Sequence, residues 1–283
     1  MNPGWAAVRA RSPRGRIELR QTFTNADSLI PTIIVIGSFL VVMVLTRKTT
    51  VPGTHFSLGT TMLVSVLGMS IGVNGLATMG GLLATEREDG TLLRAKATPS
   101  GMTGYLIGKV IAVSGTILIG TACMLVSGMF LFRGLAVGSV MAWLTLTWVL
   151  ALGLVATLPI GAILGSLFPS ARSAGLITLF IGAIVAMSGI FYPITHLPGW
   201  LQAIGQVFPM YWLGLGMRAA LLPSHLASVE LDGSWRLPYV FLVLVLWSVL
   251  GLAAAPPVLR RMARRESGSR VAARRERAML RAT

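Results

Sequence analysis

The chain contains a single cysteine, Cys123, placed inside an apolar run, so neither an intrachain disulfide nor a cysteine metal cluster is available to it. Charge is scarce: 12% of the 283 residues are Asp, Glu, Lys or Arg, and nine are acidic against 24 basic. No Asp, Glu or His falls within the long apolar runs, and Asp27 stands only at the mouth of the first, so the usual proton or sodium relays of ion-driven transport are missing. The three histidines, His55, His196 and His225, lie between apolar runs at spacings without metal-ligand regularity. Gly104-Tyr-Leu-Ile-Gly108-Lys109-Val110 approximates a phosphate-binding loop, but its glycine spacing is one short and Val110 replaces the Ser or Thr that would hold magnesium. There is no hydrolase elbow, no two-histidine zinc helix and no Ser and Lys pair of the intramembrane protease kind. The sequence therefore offers no catalytic, metal or cofactor-binding residue and no energy source of its own.

What it does have is hydrocarbon, 54% of the chain. Six stretches approach or exceed the roughly 20 apolar residues that a helix needs to cross a bilayer. They run from Ser28 to Leu45, Leu58 to Leu83, Val110 to Phe132, Val140 to Leu167, Ser173 to Phe191 and Leu237 to Ala255. The expected fold is an all-α integral membrane protein with six transmembrane helices. A basic segment, residues 1–27, precedes a six-span domain, 28–258, and a basic tail, 259–283, follows it. The first stretch reads as a retained span, because no small-x-small cleavage site closes it. Within the leading segment, Arg16-Ile-Glu-Leu-Arg-Gln-Thr-Phe23 alternates charge with apolar residues, as an amphipathic helix lying in the membrane interface does.

The net charge of +15 points to the bilayer rather than to nucleic acid. The basic residues flank apolar spans, where anionic head groups and topology account for them, and no aromatic-rich basic fold accompanies them. With both termini inside, Arg9, Arg11, Arg14, Arg16, Arg20, Arg87, Arg94, Lys96, Lys109, Arg172 and the arginines from Arg260 to Arg281 are cytoplasmic. Only Arg47, Lys48, Arg133, Arg218 and Arg236 then lie outside. This asymmetry orients the chain and puts residues 84–100 in the cytoplasm of a cell carrying it in its inner or plasma membrane.

That segment is the densest charge between any two spans. Glu86, Arg87, Glu88 and Asp89 lead into Gly90, Thr91, Leu92, Leu93, Arg94 and Lys96, and Pro99 closes the run. It reads as a short helix on the membrane surface, capped by Thr91 and ended before Pro99. Between the fifth and sixth spans, residues 192–217 carry no formal charge, yet Pro193, Pro198 and Pro209 forbid one continuous span. The expectation is an external re-entrant hairpin of two short helices, involving Phe191, Pro193, Pro198, Trp200 and Pro209, with Trp200, Tyr211 and Trp212 at the interface. Leu222 to Leu237 then forms a polar external loop. Inside the spans the polar residues are few. Ser70 and Asn74 in the second, Thr116 and Thr121 in the third and Ser188 in the fifth are candidates for lining a pathway, against helix packing, which is the first reading of Asn74. Gly68 to Gly72, Gly104 to Gly108 and Gly161 to Gly165 are small-x-x-x-small patterns that permit close helix packing.

Laid out in this way, the chain resembles the membrane subunit of ABC-2 type transporters, the permease family that includes antibiotic and drug exporters. The resemblance covers roughly residues 16–258. It rests on Glu86 to Arg94 with Ala97-Thr98-Pro99, similar to the family's cytoplasmic coupling segment, and on Gly108-Lys109 at the third span. A second motif supports it: Ser188-Gly-Ile-Phe-Tyr-Pro193 with Leu197-Pro-Gly-Trp-Leu201 and Phe208-Pro209, similar to the family's re-entrant hairpin. The resemblance implies a separate ATP-binding subunit, holding ATP and magnesium, that receives the coupling helix, and a second permease protomer, identical or related. The implied cargo is an amphipathic drug, antibiotic or similar hydrophobic compound. A lipid or lipid-linked glycan is the alternative cargo, and a non-transporting membrane scaffold is the alternative of another class.

Overall fold

The computed structural model describes residues 24, 26–51, 54–88, 91, 101–167, 171–192 and 194–265. Eight helices account for most of them: α1 (Ala26–Leu45), α2 (Leu58–Glu88), α3 (Gly101–Leu131), α4 (Val140–Leu167), α5 (Ala171–Met187), α6 (Gly199–Val207), α7 (Pro209–Leu221) and α8 (Leu237–Arg265). Short 3-10 turns lie at Ile194–His196, Ser224–Val229 and Leu231–Gly233. Among the described residues there is no strand, only an isolated bridge between Thr50 and Ser57. The apolar runs satisfy their own backbone hydrogen bonds as helices, which is the arrangement a hydrocarbon solvent requires.

Four helices, α2, α3, α4 and α8, are long and apolar enough to cross a membrane by length and composition. The six spans expected from the sequence include two shorter apolar helices, α1 and α5, of 20 and 17 residues. The fifth was expected to reach Phe191, but α5 stops at Met187 because the chain turns at Gly189, whose φ of 62° a side chain would resist. Other boundaries move outward. α2 runs past Leu83 to Glu88 and α3 starts at Gly101 rather than Val110. At 31 residues each, they are about 46 Å long and overreach a roughly 30 Å hydrocarbon layer. α8 likewise continues beyond Ala255, through Pro256 and Pro257, to Arg265, so Arg260 and Arg261 stand on the helix instead of on a separate tail. The N-terminal amphipathic segment and residues 266–283 of the tail lie outside the described residues.

α2 and α7 occupy the centre. α2 packs on α3, α4, α5 and α7, while α4 packs on α2, α7 and α8. In α7 every residue except Ala219 is buried. By contrast α1 turns Ile33, Ile34, Val41 and Val42 outward, and α8 does the same with Phe241, Leu242, Leu246 and Val249. Such faces suit lipid or a second subunit rather than water. Close approach in the centre depends on missing side chains. A Cβ at Gly161 would stand 2.5 Å from the carbonyl oxygen of Gly75, one at Gly165 would strike the Gly80 carbonyl, and one at Gly68 would fall 2.7 Å from the Leu213 carbonyl. The small-x-x-x-small patterns at Gly68 and at Gly161 to Gly165 thus mark backbone contacts of α2 with α7 and α4.

Gly165→Ala should therefore lower stability by about 1–3 kcal/mol, the usual cost of overpacking a core. Gly81→Ala, where nothing lies within 4 Å of the added carbon, should be neutral or slightly stabilising. Thermal unfolding of the two variants in detergent, read by tryptophan fluorescence, checks the contrast.

Candidate functional site

At the end of the bundle where α2 leaves the apolar layer, Glu86 and Lys109 meet across the α2–α3 pair, with 2.6 Å between Oε1 and Nζ and side chains only 16% and 10% exposed. The Tyr105 hydroxyl donates to Glu86 Oε2, and Lys109 Nζ stands 6.0 Å above the Tyr105 ring. Tyr105 and Lys109 are four residues apart and share one face of α3. A charge buried to this degree is tolerable only with its partner in place. The pair therefore ties the end of α2 to the start of α3 immediately beside the charged segment. In the sequence Lys109 counts as a topology signal and, with Gly108, as part of the family resemblance, and Glu86 as part of a docking surface. The trace that could have paired them is that they stand at matching depth, with opposite charge, on consecutive helices.

Of the other coupling residues, Arg87 and Glu88 extend α2 and Thr91 is helical. Asp89, Gly90, Leu92, Leu93, Arg94 and Pro99 lie outside the described residues.

The candidate pathway residues fall into two places. Ser70, Asn74, Thr116 and Thr121 line one cavity of about 440 Å³ between α1, α2 and α3. Its other walls are apolar and include Phe39, Met69, Val73, Ile117 and Met124. On α2, Ser70, Asn74 and Thr78 are spaced by four residues and form one stripe, because a helix returns to the same face at that interval. Thr78 is a polar wall residue that the sequence reading did not select, although the same spacing rule would have found it. Ser188 does not belong to this cavity. It is buried at the end of α5, where its hydroxyl donates to the Val185 carbonyl at 2.7 Å.

At the opposite end of the bundle, Arg218 is 4% exposed. Its Nε lies 2.7 Å from Glu230 Oε1, and another guanidinium nitrogen donates to Ser65 Oγ on α2 at 3.1 Å. The sequence reading treats Arg218 as an external cation and Leu222 to Leu237 as a polar external loop. That stretch folds back onto α7, and Glu230 supplies the counter-charge that burial of Arg218 demands. Arg236 sits against the rings of Trp212 and Tyr239, 5.4 and 5.0 Å from their centroids, and donates to Gln206 Oε1 at 2.9 Å. Trp212 Nε1 donates to the Gln206 carbonyl at 2.6 Å. Tyr211 and Trp212, expected at the interface, are core residues, whereas Trp200 on α6 is 65% exposed and Phe191 is exposed as well. Pro198 precedes α6, and Pro209 opens α7 at its first turn, where the missing N–H costs nothing. Pro193 lies outside the described residues.

A family model described as ABC-2 family transporter protein matches residues 47–255, from the end of α1 into α8. The chain belongs to that family. No curated protein matches it. An ABC-2 permease is the multi-pass membrane component of an ABC exporter; it works with an ATP-binding subunit and is not itself the catalyst. The matched region contains the charged segment, the α2 and α3 walls of the cavity, the α6–α7 pair and the Arg218 cluster, while the α1 wall of the cavity precedes it.

In this permease Glu86→Gln or Lys109→Met alone should destabilise the fold by about 3 kcal/mol, since each breaks the buried Glu86–Lys109 pair. The double variant should recover a large part of that loss. Thermal unfolding of the three proteins in one detergent measures the coupling, and additive losses would show that the two side chains do not act as a pair.

Proposed function

We propose that this permease forms the translocation pathway for an amphipathic drug, antibiotic or similar hydrophobic compound, driven by a separate ATPase subunit docked on residues 86–99. The single observation that carries the cargo assignment is the cavity between α1, α2 and α3, which has apolar walls, a neutral polar stripe and, among the described residues, no charged side chain. Cavities of this size and lining suit small organic molecules. Phe39 is the one aromatic residue among its described wall residues, and this favours a compact organic cargo over a lipid-linked glycan, whose sugars would call for aromatic platforms.

In this reading α1 and α5 cross the bilayer with the four longer helices, both termini face the cytoplasm, and α6–α7 is a re-entrant hairpin in the outer leaflet of the cell membrane. The hairpin is tolerated there because α7 is enclosed by protein and its one buried cation is matched by Glu230. Two permease protomers, identical or related, complete the transporter. The ATPase subunit binds and hydrolyses ATP with magnesium; this chain supplies the lever. Leu92 and Leu93 give apolar contact in the subunit's cleft, and Arg87, Glu88, Asp89 and Arg94 add charge complementarity around it. Glu86 faces inward to Lys109, so movement of the docked segment shifts α2 and α3 together. Asn74 lies about 18 Å along α2 from Glu86, so the same rigid helix carries the motion to the cavity wall.

Replacing Leu92 and Leu93 together by Ser, in the complex with the ATP-binding subunit, should lower permease-stimulated ATP hydrolysis at least about tenfold, as loss of a central apolar contact does. Unchanged stimulation would remove the coupling assignment. A cysteine at Arg94 should react with an impermeant maleimide in inverted vesicles and not in intact cells, and the reverse pattern would overturn the orientation.

A further inference from the structure

The cavity between α1, α2 and α3 has a hydrogen-bonding pattern more specific than its size. Thr116, Thr147, Thr157 and Ser248 each satisfy their hydroxyl by donating to the carbonyl four residues back in their own helix. Thr121 does not. Its side chain is 5% exposed, it lines the cavity, and its hydroxyl has no hydrogen-bond partner. Buried hydroxyls are rarely left in that condition, because desolvation without a partner is costly. Across from it Asn74 is exposed into the same space. Ser70 donates to the Leu67 carbonyl at 2.8 Å and Thr116 to the Ala112 carbonyl at 3.0 Å, so both present only acceptor lone pairs to the cavity. A partner for this set must both donate and accept, as hydroxyl and amide groups do. It must also be uncharged, since no Asp, Glu, Lys, Arg or His stands among the described wall residues to meet a charge removed from water. The remaining surface asks for an apolar body, and Met69 and Met124 adapt to its shape.

We propose that this cavity is a ligand site within a single protomer, selective for uncharged amphiphiles that carry hydroxyl or amide groups along one edge, with Thr121 and Asn74 as the residues that set the preference. The cargo role of such a ligand rests on the exporter reading above; its binding does not. α1 packs on α2 and only lightly on α3, which makes the α1–α3 side the route by which a ligand dissolved in the membrane would reach the cavity.

The test uses the full chain in lipid nanodiscs, without an ATPase, and three photoreactive probes sharing one diazirine-bearing alkyl chain. They are a monoacylglycerol, which is uncharged and bears two hydroxyls, a fatty acid carboxylate and a quaternary ammonium. The monoacylglycerol should label residues 66–78 and 113–124 saturably, and the two charged probes should label them at least about tenfold less at equal concentration. Thr121→Val and Asn74→Leu should each weaken monoacylglycerol labelling by about tenfold, the effect of one to two lost hydrogen bonds, while Thr121→Ser retains it. All variants are compared as monodisperse protein by size-exclusion chromatography. Equal labelling by the three probes, or labelling indifferent to both substitutions, overturns the site. So does a cysteine at Asn74 that cross-links to a second copy while the monoacylglycerol is excluded, because the cavity is then a protomer interface. If labelling behaves as stated while the Leu92 and Leu93 variant still stimulates ATP hydrolysis, the coupling reading fails and the site stands. The opposite combination removes the site alone.

Discussion

Backbone-to-backbone contact between α2 and its neighbours α4 and α7 is the arrangement on which the rest depends. It exists because Gly68, Gly75, Gly161 and Gly165 present no side chain where the helices cross. In a hydrocarbon solvent apolar surface gains little by leaving the lipid, so helices associate through close packing and through the polar contacts that packing makes possible. Bringing α7 against α2 in this way places Arg218 beside Ser65 and within reach of Glu230. It also holds α2 at its centre while its two ends carry different duties.

Two buried ion pairs among the described residues divide along that axis. Glu86 and Lys109 fasten α2 to α3 at one end, and Arg218 and Glu230 fasten α7 to the following turn at the other. Neither pair is an argument for great stability, since desolvation consumes much of what attraction supplies. Their effect is geometric. A buried charge has few acceptable positions, so each pair fixes the relation of two segments and allows a displacement at one to be felt at the other. The neutral cavity lies between these fixed ends, on the side of α2 that faces α1 and α3.

Much of this was legible in the sequence. The helical class, the membrane setting and the placement of most helices follow from the length of the apolar runs, and the charged segment after α2 follows from its contrast with them. The expected spans at Leu58, Val140 and Leu237 begin where α2, α4 and α8 begin. The lapses share one cause, which is that local rules do not weigh tertiary partners. Pro256 and Pro257 signal a helix end, yet α8 continues through them. Arg218 counts among the external cations and Tyr211 is expected at the membrane interface, yet both are buried within the protein. Glu86 joins a run of like residues in the sequence, but in space it turns to Lys109 and Tyr105.

The sequence by itself determined that the chain is helical and sits in a membrane. These are properties of composition and of spacing along one dimension, and hydrocarbon punishes any alternative for the same residues. Only the tertiary structure decided which polar side chains meet. Asn74 and Thr121 are 47 positions apart and Ser188 is farther still, and nothing in their spacing says that the first two share a cavity and the third does not. That choice is made where helices cross, by the few glycines that let them approach and by the charges that must find one another.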